Sequence, residues 1–167
     1  MKKNGGITLI SLVVTVLILL IISSVSIQVS VRVYNDAKLQ NYISKLKVIQ
    51  AKVDNLVEAS NEYTDYSAQY GFTPLMQITL PEDKELFQAI LANPNDYNIH
   101  TDNSWNSELD SDPENYYYFN SEDLQSKLGL TDQDMTVIIN FKTRNVITKD
   151  SVKADGKSFY RQYDVNG

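Results

Sequence analysis

Hydrophobic and polar positions follow different rhythms along this chain. From Ile7 to Ile27 the residues are apolar or small hydroxyl-bearing ones, and no charged side chain occurs from Asn4 to Val31. At about 1.5 Å per residue this run reaches roughly 30 Å, the thickness of a bilayer's hydrocarbon core, so it predicts a membrane-spanning helix. Its β-branched residues, such as Val13, Val14 and Ile18, do not oppose a helix, because in lipid every backbone N–H and C=O must be satisfied within the segment. From Arg32 to Glu62 the apolar positions Leu39, Tyr42, Ile43, Leu46, Ile49, Val53, Leu56 and Val57 fall three and four apart, the stripe of an amphipathic helix. No proline or glycine interrupts residues 7–62. The pattern therefore predicts one continuous helix, with residues 7–31 in lipid and residues 32–62 packed by their stripe on a small sheet rather than paired in a free coiled coil.

Beyond Tyr63 the elements shorten. Tyr63 to Pro81 has no clear period and carries turn signals at Tyr70-Gly71-Phe72-Thr73-Pro74. Thr79-Leu80-Pro81-Glu82 has the spacing of a capping box ahead of Leu86, Phe87, Ile90 and Leu91, which predicts a short surface helix over 81–92. Residues 93–115 are rich in Asn, Asp, Ser and Pro and read as a long loop holding Trp105. Tyr116 to Phe119 suits a strand, with Tyr116 and Tyr118 facing inward and Tyr117 exposed. Ser121 is placed to cap a brief helix that ends at Leu128-Gly129. Met135, Val137, Ile139 and Phe141 alternate with Thr136, Ile138, Asn140 and Lys142, a strand period. A turn at Thr143-Arg144-Asn145 leads into Val146-Ile147-Thr148, and Asp155-Gly156 signals a hairpin between Val152 and Phe159-Tyr160. The last third reads as an antiparallel meander. Helix first and sheet last predict an α+β fold with one extracytoplasmic domain over 63–167.

Lys2 and Lys3 precede the apolar run, while the acid-rich bulk follows it. Basic residues are retained inside, so the N-terminus is expected in the cytoplasm and the C-terminal domain outside, at the cell membrane or in a surface filament. Taken alone, the run fits a secretory signal cut near Ser24-Val25-Ser26, an uncleaved single-pass anchor, or a third arrangement suggested by its flank. Lys2-Lys3-Asn4-Gly5-Gly6 followed by Ile7-Thr8-Leu9-Ile10-Ser11-Leu12 resembles the N-terminus of type IV prepilins and pseudopilins.

That resemblance implies cleavage between Gly6 and Ile7 by a prepilin peptidase and N-methylation of Ile7, with residues 1–6 as a cytoplasmic leader and the helix kept in the membrane. Glycine has no Cβ to obstruct an extended backbone in a protease site. The resemblance also implies a pilin-like fold and, as partners, other pilin-like subunits and an assembly platform in a type IV pilus, type II secretion-like or competence filament. Family members commonly carry Glu where this chain has Ser11, a carboxylate thought to meet the amine of the next subunit. Its absence points to a minor or atypical member. The alternative is a single-pass membrane-anchored extracellular binding protein that does not polymerise.

Composition and charge narrow the chemistry. There are no cysteines, which excludes disulfides and thiolate metal sites. The net charge of −6 is segregated, with an acidic middle between residues 63 and 134 and a mildly basic C-terminal segment. Acidic surface repels phosphate, so nucleic acid is not an expected partner. Lys142, Arg144, Lys149, Lys153, Lys157 and Arg161 read instead as offsets to the acidic loops. His100 is the sole histidine and lies in a polar loop. There is neither a triad to assemble nor a glycine-rich phosphate loop, so no enzyme, cofactor or small-molecule substrate is expected. Asp110, Asp112 and Glu114, with Asp102 and Glu108 nearby, are weak calcium candidates that lack the EF-hand glycine, and a solvated acidic loop is the preferred reading. The eleven tyrosines are assigned to packing.

Overall fold

The computed structural model describes residues 9–60, 65–99, 109–154 and 156–161, the backbone alone being described for residues 9–10, 24–32 and 154. The chain divides into two compact units, Met1–Lys38 and Leu39–Gly167. Helix α1 (Leu9–Ala59) is unbroken, as the lack of proline and glycine predicts. In its first unit, Leu12, Val13, Val14 and residues 16–22 are all apolar and about half exposed. Thr15 and Ser23 turn their hydroxyls back onto their own helix, Oγ1 to the carbonyl of Leu12 at 2.8 Å and Oγ to that of Leu19 at 2.7 Å. Among the described residues no helix is long and apolar enough to cross a membrane. The described side chains of the apolar stretch are those of residues 11–23, about 20 Å of helix.

The second unit is built in three layers. Helix α2 (Tyr66–Tyr70), strand β1 (Thr73–Pro74), helix α3 (Pro81–Ala92), strand β2 (Tyr117–Phe119), helix α4 (Ser121–Ser126) and strands β3 (Val137–Asn140), β4 (Asn145–Thr148), β5 (Val152–Ala154) and β6 (Lys157–Phe159) follow one another. Strands β1 to β4 form one antiparallel sheet in chain order, with Tyr118 opposite both Thr73 and Ile138, and Ile138 opposite Ile147. The expected meander is thus present over β2 to β4, whereas β5 and β6 form a separate hairpin. Gly156 supplies its turn at φ +77°, a left-handed conformation that glycine adopts without steric cost.

Helix α1 covers one face of the sheet. Tyr42, Ile43, Leu46, Ile49 and Val53 are buried with Phe72, Phe119, Val137, Ile139, Phe141 and Val146, while Leu39, Leu56 and Val57 pack at the margin. The expected stripe is the packed one, and it belongs to the globular unit from Leu39 onward. Tyr42 fixes the contact, its hydroxyl 2.7 Å from Thr148 Oγ1 and 3.2 Å from the Phe159 carbonyl.

The other face is covered by α3. Phe87, Ile90 and Leu91 are buried with Leu75, Tyr116, Tyr118, Ile138 and Ile147. The expected surface helix therefore closes a second core, and all four residues of β3 and of β4 are buried because alternate side chains meet different helices. Tyr117, expected to be exposed, is half-buried on the α1 side. There it meets Tyr66, Phe72 and Phe141 edge to face at centroid distances of 6.0, 6.3 and 5.8 Å, geometry that suits the ring quadrupoles.

Two caps differ from expectation. Helix α3 starts from Leu80, without a side-chain cap. Pro81 at the first helical position has no N–H to satisfy, and Glu82 and Asp83 complement the helix dipole. Helix α4 is capped by Asn120, whose side-chain oxygen accepts from Asp123 N at 2.8 Å, rather than by Ser121. At its end Leu130 N reaches the Leu124 carbonyl at 2.9 Å past Gly129 at φ +68°, the closure expected of a helix stopped by glycine.

The sheet's edges are short. Strand β1 has two residues, one of them Pro74. Along β4, Thr148 N donates to the Tyr160 carbonyl at 2.9 Å and Arg161 Nη1 to Asn145 Oδ1 at 2.8 Å.

Candidate functional site

Three groups of residues were singled out by sequence. Gly6 and Ile7, the expected processing pair, lie outside the described residues, as do His100, Asp102, Trp105 and Glu108. Ser11 sits in the first turn of α1 and is exposed.

The acidic loop uses its carboxylates to organise itself. Asp110 Oδ1 accepts from Asp112 N at 2.9 Å, and Oδ2 accepts from Asn115 Nδ2 at 2.8 Å and from Asn140 Nδ2 at 3.1 Å. Asp112 caps the short 3-10 turn Pro113–Asn115 by accepting from Glu114 N at 3.0 Å. The Asp110 carbonyl accepts from Tyr116 Oη at 2.7 Å. Burial first, and then the Asp110 charge, pushes the Tyr116 phenol well above its ordinary value. The loop is thereby fastened to Asn140 at the end of β3. Among the described residues no three His, Cys, Asp or Glu side chains are gathered to hold a metal ion.

The basic C-terminal segment is partly turned inward. Arg144 Nη1 lies 3.4 Å from Asp54 Oδ1 on α1, Lys149 Nζ lies 2.6 Å from Asp83 Oδ1 on α3, and Arg161 is buried. Lys142, Lys153 and Lys157 are exposed.

One polar cluster was not anticipated from sequence. Asp83, buried in the first turn of α3, accepts from Tyr118 Oη at 2.6 Å and from Lys149 Nζ at 2.6 Å, tying the helix start to β2 and to the end of β4. Burial opposes ionisation of Asp83, but the hydrogen bonds from Lys149 and Tyr118 and the Lys149 charge outweigh it, holding the carboxyl below its usual value. The same contact raises Lys149. Burial, followed by the bond to Asp83, pushes Tyr118 well above the ordinary phenol value. The only local signal was an acidic residue at the third helical position, which also fits a simple dipole contact.

A recess of about 520 Å³ opens between α4 and the segment before β3, lined by Ser121, Glu122, Gln125, Leu130, Asp132, Gln133 and Asp134. Gln133 Oε1 is buried in this segment with no hydrogen-bond partner among the described residues.

In comparisons with known proteins, no family model matches the chain, and no curated protein or solved structure matches it.

Proposed function

We propose that the chain is a pilin-like structural subunit of the minor pilin or pseudopilin kind, serving a type IV pilus, type II secretion-like or competence filament. One observation carries the reading. In the sequence the basic leader ending in Gly5-Gly6 directly precedes the apolar run, and helix α1, described from Leu9, is unbroken to Ala59 and packed from Leu39 on one face of a small antiparallel sheet. The apolar run of the sequence, Ile7 to Ile27, is longer than its described part, and at about 1.5 Å per residue it matches a hydrocarbon core of roughly 30 Å. The inward bonds of Thr15 and Ser23 suit such a setting, where a hydroxyl without a partner is costly.

In this reading a prepilin peptidase cuts after Gly6, Ile7 becomes the N-methylated first residue, and the C-terminal domain stands outside the cytoplasmic membrane. The protein works by packing side by side with similar subunits on an assembly platform, not by catalysis. Ser11, in place of a carboxylate, leaves no intramembrane charge to pair with a neighbour's amine, which favours a minor or atypical role. Intact mass and N-terminal sequencing of the membrane-extracted protein test this. A mature chain beginning at Ile7, with or without an added methyl group, is the expected result. A retained Met1 or a start at Ile27 would overturn it.

A further inference from the structure

The side of α1 turned away from the sheet carries Asn41, Ser44, Val48, Ala51 and Asn55, all exposed. Their spacing of three and four lays one continuous seam along the helix, the pattern by which helices meet other surfaces. Lys45 and Lys52 flank the seam on one side and Lys47 on the other, and none of the three forms an ion pair among the described residues. Two such faces laid together would oppose lysine to lysine. In parallel register Lys47 meets Lys52 of the other copy, and in antiparallel register Lys45 and Lys52 meet their counterparts. Like charges at these positions disfavour self-pairing of the face.

The complementary surface is on the same chain. Glu122, Asp132 and Asp134 border the recess beside α4, and their carboxylates have no cation partner among the described residues. A lysine ammonium brings three donors and no acceptor, so it answers the charge of this recess.

We propose that the exposed face of α1 in one copy seats against the acid-lined recess of a second copy, with Lys45 and Lys52 directed to Glu122, Asp132 and Asp134. The two lysines are about 10 Å apart along the helix, so they engage the recess and its rim together. A contact between two different patches is heterologous and repeats from copy to copy into a ring or an open filament. This deepens the filament reading and rests on it for holding the copies together in one membrane.

Zero-length carbodiimide coupling of the membrane-extracted full chain, prepared as an equal mixture of isotopically light and heavy copies, tests the contact. The expected products are mixed light–heavy links from Lys45 or Lys52 to Glu122, Asp132 or Asp134. Lys45→Glu with Lys52→Glu should abolish them, as should Asp132→Lys with Asp134→Lys. An equal mixture of the two charge-reversed variants should restore association, read as dimer and higher species by sedimentation, with circular dichroism confirming that each variant is folded. Links confined to single chains, or no recovery on mixing folded variants, would refute the contact. The mature N-terminus is read from the same sample. A chain starting at Ile7 without mixed links ends this contact alone, whereas mixed links in a chain retaining Met1 uphold it and end the filament reading.

Discussion

Replacing Ile49 with Ala tests the packing of α1 directly. Ile49 is fully buried beneath the helix, in the cluster that holds Val137, Ile139 and Val146 of the sheet. Removing its three outer carbons costs the lost transfer energy plus the cavity left behind, about 2–5 kcal/mol for a buried aliphatic residue cut to alanine. One residue earlier, Val48 is 47% exposed, and Val48→Ala belongs with surface changes worth within about 0.5 kcal/mol. For a unit of this size, 1 kcal/mol moves the unfolding midpoint by about 3–5 °C. Ile49→Ala should therefore lower it by roughly 10 °C, and Val48→Ala should leave it within about 2 °C of the parent. The measurement is thermal unfolding of the full chain in detergent, followed by near-ultraviolet circular dichroism, which reports the tyrosines packed on the sheet. Equal shifts for the two variants would refute the reasoning, because they would mean that α1 does not present the Ile49 side to a packed core. A larger loss for Val48→Ala would place the core on the opposite face of the helix.

Three further predictions concern polar contacts. Asp83→Asn keeps an acceptor for Tyr118 but removes the counter-charge of Lys149. Because the Lys149 side chain is 39% exposed, the cost falls between that of a surface pair and a buried one, about 1–2 kcal/mol. Asp83 has a depressed pKa, so its contribution is present above about pH 4 and fades as pH falls through the lower folded value. Tyr118 and Lys149 have raised pKa values, so theirs is present below about pH 10 and fades as pH rises further. Denaturant unfolding across pH should show the variant and parent converging in acid, and a constant difference down to pH 2 would exclude this network as the cause. Asp110→Ala should cost about 1–3 kcal/mol, since Asn140 Nδ2, Asn115 Nδ2 and Asp112 N lose their acceptor. Calcium should leave the parent's unfolding midpoint unchanged, because both Asp110 oxygens already accept these donors, and a rise of several degrees would restore the loop as a cation site.

Where a feature repeats locally, the sequence shows it plainly. The α1 stripe, the bounds of α3 and the turn at Gly156 depend on neighbours a few residues away, and such periodic or turn chemistry leaves a direct trace. What α3 covers does not leave one. Phe87, Ile90 and Leu91 describe an apolar side equally well for a helix on a margin and for one closing a second core. Only the opposite face of the sheet, built from residues 116–148, decides between them. Tyr117 illustrates the same limit, since strand alternation assigns it a side but not the aromatic cluster waiting there. The Asp83 network joins residues 35 and 66 positions apart and has no sequence rhythm at all. Strand β1 was illegible because two residues, one a proline, carry no strand pattern. Both caps lie one position from where the pattern sets them, Asn120 taking the place of Ser121 and Leu80 that of Thr79, with Pro81 at the first helical position. The processing site rests on the leader's resemblance alone.

The sheet's borders have a consequence for how copies of this protein can and cannot join. A strand that ends in free N–H and C=O groups invites another chain to extend it. Here one border stops after two residues with a proline that has no N–H to give, and the other is bridged by the Thr148–Tyr160 and Asn145–Arg161 contacts. At these two borders growth by strand exchange or stacked backbone ladders finds little template among the described residues. Assembly across these borders must then be written in side chains, where it can be reversed subunit by subunit, and crowding many copies on one surface does not by itself fuse this sheet with its neighbours.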